Sequence, residues 1–141
     1  MPYLNWSKQD TGAPTTPVVA ETSQHPRYET QLTLKLSTES LAILQGELQT
    51  VFSEPGSELR LELPMRWTLY WKLRDGDSRL LLAHPDHESW VGSVSLNEMH
   101  SKSLLETLRA LTPGQSYRFT DLREQGSWST VGNLEILLAV V

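Results

Sequence analysis

Between Tyr28 and Leu36 the chain alternates. Tyr28, Thr30, Leu32, Leu34 and Leu36 fall on one face, and Glu29, Gln31, Thr33 and Lys35 on the other. This is the period-2 signature of a half-buried strand. The period then changes. After Ser37 or Thr38, which suit a helix N-cap, the apolar residues are Leu41, Leu44, Leu48, Val51 and Phe52, one stripe of an amphipathic helix. Pro55-Gly56 stops the helix, and Leu59, Leu61 and Leu63 against Arg60 and Glu62 return the chain to period 2.

The same order recurs further along. Val91 to Leu96 reads as a strand, Ser95 with Glu98 fits a capping box, and His100, Leu104, Leu108 and Leu111 form a helical stripe. Pro113-Gly114 ends it, and Tyr117 and Phe119 against Arg118 and Thr120 begin another strand. Leu44, Leu48 and Val51 match Leu104, Leu108 and Leu111 at a spacing of 60, and the Pro-Gly pairs match at 58. A duplicated strand-helix-strand-strand unit is one explanation, and chance recurrence of leucine-rich helices is the other. In element order alone the doubled unit resembles the GyrI-type small-molecule-binding fold. That resemblance implies a binding role and assigns nothing to any position.

Between the units lies a meander. Trp67, Leu69, Trp71 and Leu73 alternate with Arg66, Thr68, Tyr70 and Lys72, and Arg74-Asp75-Gly76-Asp77 links this strand to Ser78–Ala83. Asp-Gly between two strand-like runs predicts a hairpin. From 133 to 141 the chain is apolar on both faces, the pattern of an interior strand. The expected fold is therefore α+β, in the order β-α-β-β-β-β-α-β-β. It has a mostly antiparallel sheet of six to seven strands with two helices on one face. Covering the second face of the last strand calls for a homodimer or for a sheet that curves closed around Trp67 and Trp71. Residues 28–141 form the single domain. Residues 1–27 are expected to be a flexible segment, because 7–27 offer almost nothing apolar beyond Val18 and Val19. Tyr3, Leu4 and Trp6 ahead of it either dock on a partner or pack back on the body.

Composition narrows the chemistry. The 141 residues include no cysteine, which excludes disulfides and thiolate chemistry. A net charge of −5 with scattered basic residues gives no bulk drive toward nucleic acid or an anionic membrane. No apolar run approaches a membrane span and the first ten residues lack a signal-peptide core, so a cytoplasmic setting is expected.

Candidate chemistry is sparse. His84, Asp86, His87 and Glu88 hold metal-capable side chains, but Pro85 sets a turn there, and no bound metal or cofactor is expected. His100 sits on an apolar helix face without an evident carboxylate or nucleophile partner. Glu58 and Glu62, like Asp121 and Glu124, lie beside Arg60, Arg118 and Arg123 and read as charge pairing on solvated strands. Arg66, Tyr70, Lys72, Arg79 and Arg118 on one sheet face would suit single-stranded RNA only on a less acidic chain. Gly46 within the first helix marks either a close approach of helix and sheet or a glycine tolerated by chance. Trp128, between Gly126 and Gly132 in a polar loop, is either a contact residue or a core plug. Trp67, Trp71 and Trp90 either line a pocket or fill the core.

The chain thus reads as a non-enzymatic module that binds a protein partner or itself. The alternative is a small-ligand domain with an aromatic pocket between the two units. The binding residues named for these readings are Trp128, Trp67, Trp71, Trp90 and His100.

Overall fold

The computed structural model describes residues 3–6, 19–23, 30–83, 89–119, 128–131 and 134–141. The strands are β1 (Tyr3–Asn5), β2 (Val19–Ser23), β3 (Thr30–Leu36), β4 (Glu58–Leu63), β5 (Trp67–Leu73), β6 (Ser78–Ala83), β7 (Trp90–Leu96), β8 (Ser116–Arg118), β9 (Trp128–Val131) and β10 (Leu134–Val140). Helix α1 spans Thr38–Ser53 and α2 spans Glu98–Ala110. The fold is α+β with two mixed sheets, ordered β1-β4-β5-β7-β6-β9 and β2-β3-β10-β8.

Local chemistry explains the elements. In β3 the alternate residues Thr30, Leu32, Leu34 and Leu36 are all buried. Ser37 caps α1, its Oγ accepting from the Ser40 N–H at 3.1 Å. Leu41, Leu44, Leu48 and Val51 make the buried stripe of α1. For α2 the cap is Asn97, whose Oδ1 accepts from the His100 N–H at 2.9 Å. Ser95, expected in that role, lies within β7. The Pro-Gly signals end both helices, with Gly56 at φ +80° and Gly114 at φ +90°, a conformation that favours glycine.

Three expectations change. First, the sheet is not mostly antiparallel. Among the described pairings β1–β4, β3–β10, β5–β7 and β6–β9 are parallel, and β2–β3, β4–β5, β6–β7 and β8–β10 are antiparallel. The strands also divide between two sheets, and the helices sit between halves: α1 touches β3, β4 and β5, and α2 touches α1 and β7. Second, Asp75-Gly76 does not close a hairpin, because β7 lies between β5 and β6. The link crosses the end of β7, where the Arg74 N–H donates to the Leu96 carbonyl at 2.8 Å. Gly76 (φ +84°) supplies the tight turn there. Third, the segment expected to be irregular contributes β2. An edge strand needs few inward residues. Ala20 is buried, and Thr22 Oγ1 accepts from the Trp67 indole N–H at 2.8 Å. Residues 7–18 and 24–29 lie outside the described residues.

The two sheets repeat one another in register. Ala20 pairs with Leu34 in β2–β3, and Leu80 with Val94 in β6–β7, each member displaced by 60. Leu59 pairs with Trp71 in β4–β5, and Tyr117 with Leu138 in β8–β10, displaced by 58 and 67. Leu69 pairs with Gly92, and Ile136 with Leu32, in the two central parallel pairs. Thus β4-β5-β7-β6 corresponds strand for strand to β8-β10-β3-β2. Each of these four-strand sets takes two strands from each half of the chain.

The inward faces share one apolar cluster that includes Trp67, Trp71, Phe119 and the α1 and α2 leucines. Leu134, Ile136, Leu138 and Val140 of β10 face into it and are buried. The outward set of β10 is Glu135, Leu137 and Ala139, of which Glu135 alone is buried. The inward apolar residues of the last strand are therefore covered from within the chain, and Leu137, Ala139 and the exposed Val141 make up its other apolar face, the one for which a second subunit was expected.

Two glycines test this packing in opposite directions. A Cβ on Gly92 would fall 2.5 Å from Leu69 Cδ2 and 3.2 Å from Leu134 Cδ2, where the sheets meet. Gly92→Ala should cost about 1–3 kcal/mol by overpacking. Gly46 has nothing within 4 Å of an added Cβ, so of its two readings the structure favours a tolerated glycine over a close approach. Gly46→Ala should therefore stabilise by about 0.5–1 kcal/mol. Urea unfolding of both variants checks the signs; equal effects would contradict the packing described.

Candidate functional site

The named tryptophans divide by position. Trp67 and Trp71 are fully buried on β5. Trp67 stacks on the half-buried Trp90 of the adjacent strand, with centroids 5.3 Å apart and planes 12° apart, and Trp71 meets Phe119 edge-on at 5.7 Å. They fill the join between the sheets. An open groove lies elsewhere, lined by Arg74, Asp75, Asn97, Glu98, Met99 and Lys102. Its charges are partly spent on each other, Lys102 reaching Glu98 at 3.0 Å. Trp128, expected in a loop, begins edge strand β9, its backbone in register with Ser78. Residues 120–127 and 132–133 lie outside the described residues, as do His84, Asp86, His87 and Glu88.

His100 has a nucleophile-type neighbour that spacing alone does not reveal. Ser78 Oγ hydrogen-bonds His100 Nδ1 and also accepts from the Asn97 N–H at 2.8 Å. Both side chains are completely buried. What the trio does is fasten the start of β6 to the cap and first turn of α2, at the point where the β5–β6 link crosses over β7.

The arrangement with the most developed recognition chemistry is at the edge of β4. There β1 adds as a parallel strand, Tyr3 against Arg60, Leu4 against Leu61 and Asn5 against Glu62. The Trp6 N–H extends the ladder to the Glu62 carbonyl at 2.7 Å. Alternation places Tyr3 outside and Leu4 and Trp6 inside, where both pack against the core. Outside, the Tyr3 hydroxyl donates to Glu62 Oε2 at 2.7 Å, and Arg60 Nη2 donates to Glu62 Oε1 at 2.7 Å. The Arg60 guanidinium also lies 5.7 Å from the Tyr3 ring centroid. Carboxylate, guanidinium and phenol thus close a ring around one aromatic side chain, while the backbone supplies the ladder. The sequence left Tyr3, Leu4 and Trp6 between docking on a partner and packing back on the body, and here they pack back, while Arg60 and Glu62 read as a solvated charge pair. Nothing in their spacing joined the two.

No family model, curated protein or solved structure matches this chain. No helix among the described residues is long and apolar enough to cross a membrane, and those residues hold no cluster of three metal-capable side chains.

The clasp carries a pH signature. The hydrogen bond to Glu62 holds the Tyr3 phenol above its usual value of 10.0, with desolvation and the Glu62 charge adding to it and Arg60 and Asn5 opposing. A raised acid favours attachment while the phenol is neutral. Arm docking should be at full strength below the ordinary tyrosine range and weaken as pH rises through it. Amide exchange or NMR signals of residues 4–6, followed across that range, report it. In Tyr3→Phe the step should vanish; a step of unchanged size would assign the transition to another group.

Proposed function

We propose that this chain is a non-enzymatic protein-interaction module that binds extended segments by strand addition. The observation that carries the reading is the seat of β1 on β4. A strand of three residues is held there by a backbone ladder, a three-group clasp on Tyr3 and two inward side chains. Strand addition draws affinity from main-chain hydrogen bonds and specificity from alternate side chains, and this edge offers both. The aromatic residues that would line a small-ligand pocket are packed against one another instead, which favours a protein partner over the small-ligand alternative.

The matched registers of the two sheets support a further part of the proposal: the halves β2–β5 and β6–β10 descend from one duplicated unit of strand-strand-helix-strand-strand, exchanged so that each half completes the other's sheet.

The test loosens the arm in the full chain. A Tyr3→Ala/Trp6→Ala variant should bind a synthetic peptide of residues 2–8, with amide shifts at 60–62, and adding Arg60→Ala should weaken that binding. Absence of binding at the peptide's solubility limit would remove strand addition as the function.

A further inference from the structure

The outward face of the sheet β2-β3-β10-β8 carries a row of side chains that is complementary to itself. Strand register fixes the row. Glu21 pairs with Thr33, Thr33 with Leu137 and Leu137 with Arg118, so the four stand side by side across the four strands. All four point away from the core, because Ala20, Leu32, Leu34, Ile136, Leu138 and Phe119 at the alternate positions are buried. A carboxylate thus closes the row at the β2 edge and a guanidinium at the β8 edge, with Thr33 and Leu137 between them.

The side chains on this face reach solvent. That of Glu21 is 53% exposed and that of Lys35 41%. Ser116 and Arg118 are exposed, and so is Val141 at the end of the face. Leu137 and Ala139, half-buried, make with Val141 an apolar column along the middle. The strand that matches β10 in the other sheet is β5, and it turns Thr68, Tyr70 and Lys72 outward instead. Charges flank the column. Glu21 uses Oε1 for Lys35 at 2.9 Å, and Arg118 has no ion pair among the described residues. Glu135, in the next row along, is buried and engaged within the chain, so it takes no part. An apolar middle with a charged rim is the make-up of a protein interface.

We infer that this face docks a second copy of the chain, sheet to sheet, about a two-fold axis parallel to the strands. That operation exchanges the two sides of the sheet and keeps each row in place. It sets β2 of one copy over β8 of the other, and β3 over β10. Glu21 then meets Arg118 of the second copy, and the same contact recurs on the opposite side, so one row supplies two ion pairs. Leu137 faces the methyl of Thr33 in the second copy. Aligned sheets cross at about 30°, which displaces the ends of the row by only a few ångströms, within reach of these long side chains. Symmetry favours a second copy over an unrelated protein. A row that ends in opposite charges at equal distances from its centre answers its own reverse, as an isologous interface requires and a heterologous one does not. Four strands about 4.8 Å apart, crossed over about five residues, make a face at the small end of specific interfaces, so the dimer is weak and reversible. The inference is independent of strand addition at β4, which lies in the other sheet.

Two charge reversals in the full-length chain test this. The mass of the unaltered chain, by sedimentation equilibrium, should rise from 16.0 kDa toward twice that value between micromolar and millimolar concentration. High salt should lower it again, because exposed ion pairs are screened. Glu21→Arg and Arg118→Glu should each weaken association about tenfold or more, since each sets like charges together at two places. Mixed in equal amounts, the two variants should associate with each other, because every contact in the mixed pair again joins a cation to an anion. Both positions are exposed, and far-UV circular dichroism shows that each variant keeps its fold. A mass of 16.0 kDa at every concentration would overturn the inference. A dimer that neither reversal weakens would also overturn it, in favour of pairing at a strand edge such as β8 against β8. Two weakened variants that stay monomeric on mixing would overturn the reciprocal contact of Glu21 with Arg118, and the two-fold arrangement with it.

Discussion

The parallel pairings of β5 with β7 and of β3 with β10 are the constraint on which the rest of the structure depends. A strand-helix-strand-strand unit has a hairpin, β4–β5 or β8–β10, and a first strand separated from it by a helix. Alone it leaves that first strand without a second neighbour and its inner leucines uncovered. Here β5 takes β7 from the other half, and β10 takes β3. The exchange places both helices and both inner faces around one apolar cluster. Each buried leucine contributes about 1.5–3 kcal/mol, and neither half encloses that cluster alone. Folding and assembly of the two halves are thereby one event.

That exchange also explains the crossing at 74–77. With β7 inserted between β5 and β6, the link must pass over the junction of β7 with α2. Backbone groups at such a crossing need partners, and they find them close by. Arg74 donates to Leu96, and Ser78 takes the Asn97 N–H while bonding His100. A buried Ser-His pair at this position is a fastening for the crossing. Its counterpart in the other half is Ser40, 60 residues earlier at the same turn of α1 and also fully buried.

Local structure was readable from pattern, and long-range pairing was not. The alternation at 30–36, 58–63 and 67–73, the leucine stripes and the Pro-Gly stops each lie within a few residues, and the elements form where those signals stand. The sixty-residue echo in the leucines was visible too, and it corresponds to matched strand registers. Asp75-Gly76 failed as a hairpin signal because a turn residue specifies positive φ, which Gly76 adopts, and not which strand lies alongside. β2 was hidden because an edge strand is held by its backbone, and composition records side chains. The candidate edge was hidden for a related reason. Tyr3 was conspicuous and Arg60 and Glu62 were ordinary, and only the fold brings a first-strand aromatic to a pair of charges nearly sixty residues away.

Edges are where the two sheets cease to be equivalent. The two four-stranded sets in matching registers, β4-β5-β7-β6 and β8-β10-β3-β2, have four outer edges between them. Among the described residues the chain covers the two edges of one sheet, with the strand before β2 and the strand before β10. Both added strands are parallel to the edges they cover and short, so each is held by few ladder bonds and relies on its side chains. At β4 those side chains are a phenol, a guanidinium and a carboxylate. Symmetry of the core and asymmetry of its covering are thus separable. The core fixes where an extra strand fits, and the outward residues on each edge decide which strand it is. Arg60 and Arg118 stand at matching places in the two registers, 58 residues apart, and it is at Arg60 that the described residues show a phenol and a carboxylate gathered around the guanidinium.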